Sequence, residues 1–193
     1  MIRNRCSKLQ MNISRETLRL YSFSLRDPTP GIVPKVEIDI VAYDRPLDLE
    51  RLQRSTIEER IFQGDRIFVA RHHSKPVAYL FAATKSCWVS EIDDRLIIGS
   101  NEVYLYDAFT NIEYRGNRIY PSLISNTARF FKELSYSYAL IFTTSSNISS
   151  VKGIERAGFC CYQTIYFYNL FGRRIWNYKT RSRNVQSRFS NEN

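Results

Sequence analysis

Apolar and polar residues alternate along much of this chain, and the alternation predicts strands. Val36-Glu-Ile-Asp-Ile-Val-Ala-Tyr43 reads as the first strand of a main sheet. Leu18-Arg-Leu-Tyr-Ser-Phe-Ser-Leu25 reads as an extra strand ahead of it, cut off by Asp27-Pro-Thr-Pro-Gly31 and Pro34. From Asp48 to Gln63 the period changes. Leu49, Leu52, Ile57, Ile61 and Phe62 fit one long helix or two short ones, ended by Gly64. Arg66–Arg71 and Pro76–Ala83 are predicted strands around a turn at His72–Lys75, and Trp88–Ile98 includes a further short strand. Glu102–Thr110 is a central strand. Pro121–Leu134 carries a broad apolar helical face, Leu123, Ile124, Ala128, Phe130, Phe131 and Leu134. Tyr138–Thr143 is a buried strand. A short helix follows, capped by Asn147 or Ser149, with Val151, Ile154 and Ala157 inward and Gly158 as its stop. Tyr162–Tyr168 closes the sheet. The sum is a mixed α/β fold with helices on both faces of the sheet.

The stretch from Glu102 to Phe159 carries the chemistry. A strand runs into Glu113-Tyr-Arg-Gly-Asn-Arg-Ile-Tyr120, and Pro121 then stands where a first helical turn begins, a place that wants no N–H. A strand that delivers a loop to a helix start presents several backbone N–H groups to one anion, usually a phosphate. Asn147, Ser150, Gly158 and Phe159 form a second ordered group.

These two segments resemble motifs of the GNAT acyltransferase superfamily, whose members move an acyl group from coenzyme A to an amine. The pyrophosphate loop Arg/Gln-x-x-Gly-x-Gly/Ala is matched by Arg115 and Gly116, while Arg118 stands at a usual glycine and Tyr120 at a usual Gly or Ala. The motif Asn, small residue three later, Gly-Phe is matched by Asn147, Ser150, Gly158 and Phe159. The resemblance implies a GNAT-like, largely antiparallel mixed sheet over residues 36–172. It also implies acetyl-CoA or another acyl-CoA as co-substrate, no metal, and a small-molecule amine, with amino sugars among the candidates, as acceptor. Phe109, Thr110, Arg115, Gly116, Asn117, Arg118, Ile119, Tyr120, Asn147 and Ser150 would then hold the cofactor. The backbone of Ala108–Thr110 would pair with the pantetheine amides, one N–H stabilising the thioester oxyanion. The tyrosine the family often uses as acid, seven residues after the Asn, is here Ile154. Glu102, Tyr104 and Tyr106 share one strand face and are the candidates for base or acceptor contact. Asp107 points the other way and reads as structural.

Charge refines the picture at the ends. The net charge is +9, yet residues 1–35 hold seven Lys or Arg against two acidic residues, and residues 173–193 hold six against one. The middle is nearly neutral. Residues 1–35 thus read as an N-terminal extension, and 173–193 as a flexible basic tail able to touch nucleic acid or an anionic membrane. Cys6, Cys87, Cys160 and Cys161 have no metal or redox spacing and read as packing residues in a reducing cytoplasm. Neither a leader sequence nor a transmembrane segment is expected. His72 and His73 read as surface residues, and the aromatic closing strand suggests a homodimer contact. Two rival readings stay open. One is a non-catalytic GNAT-like binding or regulatory protein with a degraded CoA loop; the other is a nucleic-acid or membrane-associated protein acting through its basic ends.

Overall fold

The computed structural model describes residues 13–182 and 184–192. Most of the basic N-terminal stretch, with Cys6, lies outside the described residues, as does Arg183. Eleven strands and three helices are described. In chain order they are β1 (Ile13–Ser24), β2 (Asp39–Tyr43), α1 (Arg54–Phe62), β3 (Arg66–His72), β4 (Lys75–Ala83), β5 (Cys87–Val89), β6 (Asp94–Ile97), β7 (Glu102–Thr110), α2 (Ile119–Glu133), β8 (Tyr138–Thr144), α3 (Ile148–Arg156), β9 (Cys160–Leu170), β10 (Arg173–Thr180) and β11 (Arg188–Phe189).

Eight strands form one sheet in the order β10-β9-β1-β8-β7-β4-β3-β2. Every pairing is antiparallel except β7 with β8. A smaller sheet, β11-β6-β5, packs beside it. On one face α2 and α3 bury Ile119, Leu123, Ile124, Phe131 and Ile154 against Phe68, Leu80 and Leu105. On the other face α1 places Ile57 on Ile67 and Phe81, and the small sheet packs Val89, Leu96 and Phe189 on Leu18, Tyr104 and Leu140. The mixed sheet covered on both faces is the expected class.

Several expectations change. The strand read as an N-terminal extra is β1, which lies between β8 and β9 in the middle of the sheet. Leu18 and Leu20 are buried in one core, while Tyr21 and Phe23 are buried in the other. A strand apolar on both faces belongs inside a sheet. The first strand expected at 36–43 is the opposite edge, β2. The stretch 173–193, read as a flexible tail, forms β10 along β9 and β11 against β6. Trp176 Nε1 donates to Ile92 O at 2.9 Å, and Phe189 is fully buried. Because β10 covers β9, the aromatic strand 162–168 is not an edge and offers no free ladder for a dimer. Among the described residues no helix is long and apolar enough to cross a membrane.

Candidate active site

The site begins where two parallel strands part. Glu102–Leu105 of β7 pair with Tyr138–Ile141 of β8, and no pairing continues beyond Leu105 and Ile141. On its other side β7 stays with β4 as far as Thr110, opposite Ala78. Tyr79 faces Phe109 and Phe81 faces Tyr106, so Asp107 and Ala108 together face Leu80. This is a β-bulge, and Asp107 takes φ +45° within it. The ladder groups of β7 that would otherwise bond β8 therefore open into a gap next to Ala108–Thr110.

A cleft of about 560 Å³ adjoins that gap. Ala108, Phe109 and Thr110 form its inner edge, Arg115, Gly116, Arg118, Ile119 and Tyr120 one wall, and Asn147, Ser150 and Gly153 the other. Its charged lining is cationic throughout: Arg51, Arg115, Arg118, Lys152 and Arg156. Two helix N-termini face it as well, so oriented dipoles add to the positive field.

The loop geometry follows from its residues. Gly116 has φ +80° and Arg118, the N-cap of α2, has φ +60°. Both are left-handed, which explains why glycine is the easy choice at each. Pro121 is the third residue of α2, not the first. Ser122 N donates to Arg118 O at 3.2 Å, so the amides of Ile119 and Tyr120 remain the orphan donors of the helix start. Arg115 Nε donates to Thr110 O at 3.1 Å and ties the loop to the end of β7. Asn117 alone of the expected cofactor residues is not in the lining: its Nδ2 donates to Tyr114 O and its carbonyl accepts from Lys35 N.

Asn147 caps α3. Its Oδ1 accepts from Ser150 N at 3.1 Å and from Ser149 Oγ at 2.9 Å, which leaves Nδ2 as the polar group it offers the cleft. Ile154 is fully buried in the core and takes no part in chemistry. The ring of Tyr120 comes in from α2 and sets its Cδ1–Cε1 edge against Gly153, one residue before Ile154. Burial pushes the Tyr120 phenol well up, with a smaller opposing effect from the Ser150 hydroxyl.

Tyr120 and Ala108 also line a small inner pocket of about 80 Å³, with Tyr104, Tyr106, Asp107 and Phe142. Tyr106 in turn borders a second open cleft, about 670 Å³, between α1 and β5 on the far side of the sheet. Ala108 and Tyr120 thus line both the outer cleft and the inner pocket, and Tyr106 lines both the inner pocket and the second cleft.

The three strand candidates separate. Glu102 lies far from the clefts, buried at the start of β7. Its carboxylate accepts from Gln186 N at 2.6 Å, from Ser187 N at 2.8 Å and from Ser187 Oγ, so it anchors the C-terminal segment and is not a base. Tyr104 is buried between Tyr106, stacked at 5.5 Å, and Phe142, at 4.4 Å between centroids. Its burial holds it as a phenol far above the usual range. Tyr106 alone reaches both an inner pocket and an open cleft. Its hydroxyl donates to Asp65, whose residue is 7 % exposed, and Arg60 lies 5.1 Å over its ring. Arg60 is itself paired with Asp107 at 2.5 Å. Burial raises the Asp65 carboxyl above 3.8, against opposing effects of Tyr106, Arg60 and Lys85. Asp65 was not legible in sequence because it sits alone between a helix stop and a strand. Arg51, in the loop before α1, and Arg156, at the end of α3, carry no distinguishing sequence signal either.

No family model matches this sequence, and no curated protein matches it. Solved structures do. A GCN5-related N-acetyltransferase from Sphaerobacter thermophilus matches at TM-score 0.52 and 10 % identity, over 86 % of this chain and 51 % of its own. One from Kribbella flavida matches at 0.51 and 14 %, over 81 % and 58 %. A tandem GNAT protein from the clavulanic acid biosynthesis pathway matches at 0.52 and 14 %, over 82 % and 54 %. The chain spans little more than half the length of these structures. It has the GNAT fold.

Proposed function

We propose that this protein is an acyl-CoA-dependent N-acyltransferase, most simply an acetyltransferase, acting on a small-molecule amine. One observation carries the reading: the parting of β7 from β8 opens onto an all-cationic cleft framed by two helix starts. A thioester arm laid in that gap would extend the β7 ladder at Ala108–Thr110, and its pyrophosphate would meet the amides of Gly116–Tyr120. Arg118, Lys152 and Arg156 supply charge-assisted bonds to phosphate. The amine attacks the thioester carbon in the inner pocket, and a β7 amide at the bulge holds the oxyanion. Tyr120, kept protonated by burial, is the phenol available to the leaving thiolate in place of the family tyrosine.

Calorimetric titration with acetyl-CoA, beside Arg115→Ala and Asn147→Ala, tests this. The expected result is binding on the order of 10 µM, weakened at least several-fold by either change. A second reading is favoured by the same bulky Tyr120 ring, which borders both the outer cleft and the inner pocket where the family usually has Gly or Ala. In a protein that kept the fold and lost the cofactor, acetyl-CoA and free CoA would give no heat, and that outcome would replace the enzyme reading.

A further inference from the structure

The second cleft has a charge pattern of its own. Its Asp, Glu, Lys and Arg lining is Glu59, Asp65, Arg60, Lys85 and Arg95. Arg60 is taken by Asp107, and Glu59 accepts a bond from Gln63. Asp65 is buried and bonded by Tyr106. Lys85 and Arg95 remain, both exposed and, among the described residues, without an acidic partner within salt-bridge distance. The side chain of Lys85 reaches back over Gly64, beside Asp65: Nζ lies 3.6 Å from the place of a β-carbon there. Trp88, 58 % exposed, and Phe62, 92 % exposed, flank the opening as apolar surfaces.

Resting on the acyltransferase reading, we propose that the acceptor is an amine carrying an anionic group. Lys85 and Arg95 hold that group, and the ammonium lies at Tyr106, with Asp65 as the proton sink behind it. The pieces are laid out in the right order. This cleft and the inner pocket share Tyr106 in their linings, so an amine bound here lies against the residue that borders the inner pocket. The ammonium gives one proton to Tyr106 Oη while the phenol gives its own to the Asp65 carboxylate. The neutral nitrogen attacks the thioester carbon and the C–S bond breaks. The second proton that nitrogen sheds as the amide forms passes through the Tyr120 hydroxyl to the thiolate, and Asp65 later releases the first proton to solvent. Tyr106 touches the acceptor; Asp65 is a positioning residue. A carboxylate whose neutral form is favoured by burial suits that task.

Matched amine pairs test this: ethanolamine against O-phosphoethanolamine, glucosamine against glucosamine 6-phosphate, and glycinamide against glycine. Release of free thiol from acetyl-CoA is the readout. The anionic member of at least one pair is expected to show a KM at least tenfold lower, and Lys85→Ala/Arg95→Ala to erase that difference. Asp65→Asn is expected to lower kcat by 10²-fold or more and to remove the acidic limb of the pH–rate profile, with acetyl-CoA binding unaltered. The groups facing Asp65 that must be unchanged across that profile are Tyr106, Arg60, Lys85 and Cys87. Equal KM values within every pair, or an anionic preference kept by the double variant, would overturn the acceptor class. An unchanged profile in Asp65→Asn would overturn the proton route. Loss of acetyl-CoA binding in the wild-type protein is a separate result, which overturns the acyltransferase reading and this one with it.

Discussion

Tyr120 and Gly153 fit so closely that a β-carbon on Gly153 would stand 2.5 Å from Cδ1 of the tyrosine ring. That contact joins the start of α2 to the second turn of α3, the two helices whose N-termini frame the outer cleft. Gly153→Ala must therefore displace the ring. The expected cost is about 1–3 kcal/mol in urea unfolding, as for other overpacked sites. Tyr120→Ala on top of Gly153→Ala should recover most of it. A double-mutant cycle with no coupling would mean that the ring leaves this place freely.

Arg118 holds a left-handed conformation that glycine adopts without strain. Arg118→Gly is expected to leave stability unchanged or to raise it by up to about 1 kcal/mol, since relief of strain is offset by a more flexible unfolded chain. Arg118→Ala keeps the strain and loses the charge. Both should weaken acetyl-CoA binding to a similar degree if the guanidinium meets phosphate, and the loss should shrink as salt is added.

Glu102 receives three donors from Gln186 and Ser187, and Ser187 Oγ also accepts from Gly99 N at 2.9 Å. Glu102→Ala leaves those amides without a buried partner. A loss of about 2–3 kcal/mol is expected, together with rapid proteolytic clipping near residues 181–187. Acetyl-CoA affinity should hold under native conditions, because this end of β7 is remote from the gap.

The raised carboxyl of Asp65 sets a direction for pH. Its folded form binds a proton more tightly than the unfolded chain does, so its contribution to stability is present below 3.8 and fades as pH rises through the raised value. Urea midpoints for wild type and Asp65→Asn should diverge over that interval, with the variant gaining relative stability as pH rises. Parallel curves would show that the carboxylate costs nothing to bury.

Burial pushes the Cys87 thiol up to about 12, whereas Cys160 is exposed. Iodoacetamide at pH 8 should modify Cys160 well before Cys87 in the folded protein. Mass mapping of the labelled peptides reads the order directly.

The parts of this fold that sequence revealed are those with strong local signals. Glu102–Thr110, the helix after Tyr120, and the Asn147 cap each declare themselves within a dozen residues. What stayed hidden depends on distant partners. In Leu18-Arg-Leu-Tyr-Ser-Phe the apolar phase slips by one residue after Leu20. That slip marks a strand buried on both faces, although alternation alone reads as an accessory. In Arg173–Thr180 only Trp176 and Tyr178 are partly covered, and the charged residues of an edge strand look like a tail. Asp65 gains its character from burial in the fold and from its bond to Tyr106, 41 positions away in sequence.

The place of β1 also bears on how the protein is made. Leu18 faces Thr144 on one side and Ile165 on the other, so both neighbours of this strand are synthesised long after it. At roughly 5–20 residues per second, the wait on a ribosome is on the order of ten seconds. Throughout it Leu18, Leu20, Tyr21 and Phe23 have no sheet to enter. The main sheet can close only after β9 has emerged, which makes the nascent chain a natural client for whatever shelters apolar strands during translation.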